Sequence, residues 1–107
     1  METPKLNTTH TFEFQDGTTT EMTLTFYALL KLKSRDKALY DRYNRAFNAM
    51  GSGKSDELDS LTILYVAYRC ANTAEENPMT EEEFIIKCGC DRNTVGKAIQ
   101  ALMSPKN

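Results

Sequence analysis

Residues 56–71 read DELDSLTILYVAYRCA, and the way this stretch folds decides how the rest of the chain must be arranged. It opens on Asp56, Glu57 and Asp59, acids that suit the positive end of a helix dipole. Ser55, just ahead of them, is read as the helix cap. From position 61 to position 71, apolar side chains point in nearly every direction around a helix: Leu61, Ile63, Leu64, Tyr65, Val66, Ala67, Tyr68 and Cys70. A helix apolar all round has to be covered on more than one side. It is therefore either the central helix of a small core or the carrier of a protein interface. Each large aliphatic side chain it buries contributes roughly 1.5–3 kcal/mol, so this helix is expected to dominate stability.

Upstream lies GSGKS (51–55), a flexible connector. Its Gly53, Lys54 and Ser55 resemble the end of a phosphate-binding loop. The full motif needs a glycine where Asn48 stands and a strand in front, whereas the sequence ahead reads as helix. Residues 25–50 contain no Gly or Pro. TFYALLKLK (25–33) reads as a short helix with Phe26, Leu29 and Leu30 on one stripe. A break follows at Ser34, Arg35 and Asp36, where Ser or Asp can cap a second helix. In that helix Leu39, Tyr43, Ala46, Phe47 and Met50 share helical spacing, and Gly51 stops it.

Still earlier, HTFEFQDGTTTEMTL (10–24) alternates with period two around Asp16 and Gly17, the signature of a β-hairpin. A three-residue loop of Gln15, Asp16 and Gly17 pairs Phe14 with Thr18 and Phe12 with Thr20. Phe12, Phe14, Met22 and Leu24 then share one side, whereas a two-residue loop would split them. Gly17 is expected at positive φ. An isolated hairpin is marginal in water, so its apolar face must pack on helices. Residues 1–8 read as a loose lead-in, without the apolar core of a signal peptide.

Downstream, after a polar loop (72–78), MTEEEFIIKCGCDRNTVGKAIQAL (79–102) reads as helix, glycine turn, helix. Thr80 and Glu83 form a capping box, with Met79 and Phe84 as a hydrophobic staple. Gly89 ends that helix. Asp91 caps the last one, with Cys90 and Val95 again at staple spacing, and the helix is expected to end near Met103 before Pro105. The reading is a single α+β domain over 1–107: a hairpin at 10–24 and about five helices over 25–103 around the central apolar one.

Composition narrows the function classes. The chain has 107 residues, 40% of them apolar, and a net charge of −2. It has no apolar run long enough to span a membrane. Three cysteines fit a reducing compartment better than a disulfide framework. Cys88 and Cys90 are separated by one residue, and with Cys70 and His10 they do not make the two ligand pairs of a zinc site. His10 is the sole histidine and offers no triad. Glu81, Glu82 and Glu83 are explained by their place in a first helical turn. The expectation is a non-enzyme with no cofactor and no metal site. Tyr27, Tyr40, Tyr43, Tyr65 and Tyr68 are the candidates for a partner or self-association surface, because Tyr is enriched at interfaces.

The closing helix pair resembles the DNA-binding helices of winged-helix repressors of the GntR type. That resemblance implies that Arg92, Asn93, Thr94 and Lys97 face bases or phosphates. Against it, Ile85 stands where the motif takes a small residue and Gly96 where it is often basic. No wing is expected in the residues up to Asn107, and no basic excess supports phosphate binding. A small helix-turn-helix regulator is the alternative reading.

A second resemblance covers more of the chain, from about Thr11 to Pro105. Its pieces are the DGTT hairpin (16–19) before MTLTF (22–26), LYDRYN (39–44), LTILYVAYRCAN (61–72) and the GCDR turn (89–92). In this order they resemble the small tail assembly chaperones of long-tailed phages and prophages of Gram-positive bacteria. The resemblance implies a mainly helical, self-associating protein that binds the tape-measure protein and keeps its apolar helices soluble. Such a protein works in the host bacterial cytoplasm, leaves as the tail-tube protein polymerises, and is absent from the mature virion. Many members also have a longer form made by translational frameshifting.

Overall fold

A computed structural model describes residues 9–73, 77–89 and 92–103. Strand β1 (Thr9–Glu13) pairs antiparallel with β2 (Thr19–Thr23), and five helices follow: α1 (Phe26–Arg35), α2 (Lys37–Gly51), α3 (Glu57–Ala71), α4 (Glu81–Cys88) and α5 (Arg92–Met103). Helix α3 is the axis of the molecule. It packs on α1, α2, α4, α5 and β2, and Ile63, Leu64, Val66 and Ala67 are wholly buried. The all-round apolar pattern thus marks the central helix of the core.

The hairpin adopts the three-residue loop. Phe12 lies opposite Thr20, the Phe14 amide donates to the Thr18 carbonyl (2.7 Å), and Gly17 sits at φ 89°. Phe12, Phe14 and Met22 are buried and Leu24 is half-buried against the core. The Asp16 carboxylate accepts from the Thr18 hydroxyl (2.7 Å) and the Thr18 amide (3.0 Å). These bonds hold its pKa below the usual carboxylate value. The hairpin tip docks on the end of α4: the Gln15 amide donates to the Lys87 carbonyl (3.3 Å), and the Lys87 ammonium lies over the Phe14 ring.

Most helix starts follow the expected chemistry. Thr25 caps α1 by accepting from the Ala28 amide, and Asp36 caps α2 by accepting from the Leu39 amide. Thr80 and Glu83 form the reciprocal box at α4. At α3 the cap is Asp56 rather than Ser55. Asp56 and Asp59 exchange side-chain-to-backbone hydrogen bonds of 2.9 and 3.0 Å, a box that a serine one residue earlier could not close. Helix α2 runs through Gly51, and it is Gly53 that takes positive φ. The expectations for residues 1–8, Cys90, Asp91 and Pro105 fall outside the described residues.

One buried stripe differs from the expected one. On α1 the inward face is Ala28, Leu29 and Leu32, whereas Phe26 is 91% and Leu30 59% exposed. Both pairs, Leu29 with the residue three on and Phe26 with the residue four on, satisfy helical spacing. The helix has two apolar faces, and the one carrying Ala28, Leu29 and Leu32 turns inward against α2 and α3.

Candidate partner-binding surface

Five tyrosines were expected to serve an interface, and three of them are structural. Tyr43, Tyr65 and Tyr68 are buried. Tyr43 stacks on Phe47 (centroids 5.9 Å apart), and burial pushes its phenol pKa up. Tyr65 and Tyr68 flank Phe84, a fully buried ring that also meets Phe14 edge-on. Their hydroxyls hold the approach to α4 from both sides: Tyr65 donates to the Met79 carbonyl and Tyr68 accepts from the Met79 amide, each at 2.8 Å. This work at Met79 takes both rings out of any partner surface. Tyr40 is half-buried beneath Lys33. Tyr27 alone of the five is exposed, at 69%.

Among the described residues the exposed large apolar side chains are Phe26, Tyr27 and Leu30 on α1, Phe47 on α2, Leu58 on α3 and Ile86 on α4. Leu58 and Ile86 belong to an open groove of about 430 Å³ between the first turn of α3 and the outer face of α4. Ile85 and Thr62 complete its floor, and Arg42, Glu81 and Glu82 form its rim. The local sequence explains the arrangement. Phe84 and Cys88, four residues apart, are the buried stripe of α4, so Ile85 and Ile86 cannot join it and turn outward. Ile85, a departure from the helix-turn-helix pattern, is here part of the groove. Leu58 sits among the acids of the α3 first turn, 65% exposed.

The rim is held by ion pairs. The Arg42 guanidinium donates to both oxygens of Glu81 (2.6 and 2.8 Å), which keeps Arg42 more firmly protonated than usual. Arg92 pairs with Glu57 at 2.7 Å. The Glu82 carboxylate makes no hydrogen bond or ion pair among the described residues.

The residues singled out for DNA contact lie together at the start of α5. Arg92, Asn93 and Lys97 are exposed and Thr94 is half-buried, while Ala98 and Ile99 enter the core from the other face. Arg92 makes an exposed ion pair with Glu57. Gly53, Lys54 and Ser55 follow a helix rather than a strand, so they lack the strand–loop–helix cradle of a phosphate site. Burial pushes the Cys70 thiol up to about 12 and the Cys88 thiol up to about 11. Both therefore remain protonated and unreactive at neutral pH. Among the described residues no group of His, Cys, Asp and Glu is placed to hold a metal ion, and no helix is long and apolar enough to cross a membrane. No family model, curated protein or solved structure matches the chain.

Proposed function

We propose that this protein is a phage tail assembly chaperone, a non-catalytic binding protein that holds apolar helical segments of the tape-measure protein in solution while the tail forms. The observation that carries the reading is the α3–α4 groove. A small domain with a well-filled core leaves Leu58 and Ile86 uncovered beside Ile85, on a surface framed by carboxylates. An amphipathic helix binds such a groove through apolar residues at i, i+3, i+4 and i+7. The acidic frame favours clients carrying Lys or Arg beside their apolar stripe. Order and pattern along the sequence support the same family. In this reading the protein acts in the host cytoplasm and is released before the virion matures.

The DNA-binding alternative has less behind it. The α5 surface offers Arg92 and Lys97, the first in an exposed ion pair with Glu57, and the chain carries net negative charge. It predicts salt-dependent duplex binding that weakens when Arg92 and Lys97 become Ala.

Co-expression tests the main proposal. A tape-measure fragment that is insoluble alone should appear in the soluble fraction with this protein and co-purify with it. Ile86→Asp should cut that yield several-fold while the variant stays folded. A fragment that remains insoluble with the wild-type protein would overturn the proposal.

A further inference from the structure

The acids around the α3–α4 groove are not equivalent. In the first turn of α3, Asp56 and Asp59 each accept from the other's backbone amide, and Glu57 pairs with Arg92. In the first turn of α4, Glu83 accepts from the Thr80 amide. Glu81 is the most heavily used. Arg42 takes both of its oxygens, and the Thr62 hydroxyl lies 3.5 Å from Oε2. Among the described residues this leaves Glu82, exposed on the groove wall, as the one carboxylate of these two turns that no group of the chain engages.

The helix fixes where that carboxylate stands relative to the apolar floor. Glu82, Ile85 and Ile86 are at i, i+3 and i+4 on α4, so Glu82 lies beside the two isoleucines, one turn nearer the helix start. A helix lying along α4 with an apolar side chain seated on Ile86 brings a residue three or four places away opposite Glu82. At Glu81 a second cation meets a different situation. It has to displace a bidentate guanidinium and faces the charge of Arg42 itself.

We propose that Glu82 is the specificity-determining residue of the groove: it selects helices carrying a Lys or Arg three or four residues from the apolar side chain on Ile86, and Arg42, by occupying Glu81, confines the selection to that one position. The proposal rests on the reading of the groove as a helix-binding surface. It narrows the ligand class from any helix with basic flanks to one with a cation at a defined spacing. Arg42 acts as a positioning residue, a built-in competitor that keeps the groove from holding every cationic helix.

The test is fluorescence anisotropy on the full chain with three labelled synthetic helices that share one Leu stripe at i, i+3, i+4 and i+7. The first has a Lys four residues from the central Leu, the second has that Lys moved to the far face, and the third has Gln in its place. Far-UV circular dichroism establishes that each variant is folded. The wild type should bind the first helix about two- to five-fold tighter than the others, the range of an exposed ion pair, with the advantage shrinking at high salt. Glu82→Gln should erase the advantage and leave the affinity for the Gln helix unchanged. Glu82→Lys should invert it, in favour of a helix with Glu in place of the selected Lys. Arg42→Gln frees Glu81 and should tighten binding of both Lys helices several-fold, whereas a purely structural role for Arg42 would weaken all three. Equal binding of the three helices by the wild type, no binding of any, discrimination that survives Glu82→Gln, or weaker binding throughout in Arg42→Gln would overturn the proposal.

The co-expression arm separates this proposal from the function. Discrimination among the synthetic helices with a tape-measure fragment that stays insoluble would leave the selection by Glu82 standing and remove the chaperone reading. A solubilised fragment with no discrimination would do the reverse.

Discussion

Gly89 closes α4 at φ 75° and ψ −155°, a region essentially restricted to glycine and costing other residues about 1–3 kcal/mol. A side chain there would also run into the Gln15 side chain at the hairpin tip. Gly89→Ala is therefore expected to destabilise the fold by about 1–3 kcal/mol. Gln15→Ala in the same chain should restore only the part due to the clash. Urea midpoints of the single and double variants measure this, and an unchanged midpoint for Gly89→Ala would contradict it. Cys70 gives a second residue-scale prediction. Its thiol is held neutral up to about 12 in the folded chain, against about 8.5 when unfolded. Between those values the unfolded chain has lost the proton and the folded chain has kept it. Stability is accordingly full below the lower value and falls as pH rises through the window. Going from about pH 8 to about pH 10, the wild type should lose on the order of 1–2 kcal/mol more than Cys70→Ala. Parallel losses in the two proteins would rule out Cys70 as the source.

At the scale of elements, the hairpin, α3 and α4 meet at Phe84, and the path into α4 is fixed by two hydroxyls of α3. Tyr68→Phe keeps the ring stack on Phe84 but leaves the Met79 amide without its acceptor. It should cost about 1–3 kcal/mol and raise amide exchange at Met79 and over the first turn of α4, with the rest of the fold less affected. Uniform loss of protection across all helices would mean that the hydroxyl does not act locally. The end of α3 is tied in the same manner: the Asn72 side chain donates to the Glu21 carbonyl (3.1 Å) and the Thr20 hydroxyl (3.3 Å) of β2, and to the Tyr68 carbonyl. Such bonds explain why a two-stranded hairpin, weak alone, persists here. Helix α1 is the contrasting case. It presents one apolar face, Ala28, Leu29 and Leu32, inward and another, Phe26, Tyr27 and Leu30, to solvent.

Across the whole molecule, the filled core and the exposed apolar surface are built from different residues. The interior converges on α3 and Phe84, while the exposed large apolar residues, Phe47 on α2 apart, lie on the outer face of α1 and in the α3–α4 groove. Substitutions in the groove should thus change association and client yield with little effect on folding. Much of this was legible in the sequence. The hairpin register followed from parity, since only one loop length brings Phe12, Phe14 and Met22 to one face. The cap at Thr80 followed from residue type and spacing, Asp36 was one of two candidates for the α2 cap, and the central role of residues 61–71 followed from their nearly all-round apolar pattern. These features are local, and local sterics and hydrogen bonding settle them. The surface was not legible in the same way. Tyr43, Tyr65 and Tyr68 have the composition of interface residues, yet neighbours distant in sequence bury them. Phe26 and Leu30 have the spacing of core residues, yet it is the face with Ala28, Leu29 and Leu32 that packs inward and they remain outside. Ile85 and Ile86 gave a partial signal, being out of step with Phe84 and Cys88. Their meeting with Leu58, far away in sequence, needed α3 and α4 to be packed together. The sequence by itself determined the elements and the helix that must lie at the centre, because periodicity and capping act within a few residues. Which apolar side chains remain exposed was decided only by the tertiary structure, because burial depends on what the rest of the chain places against them.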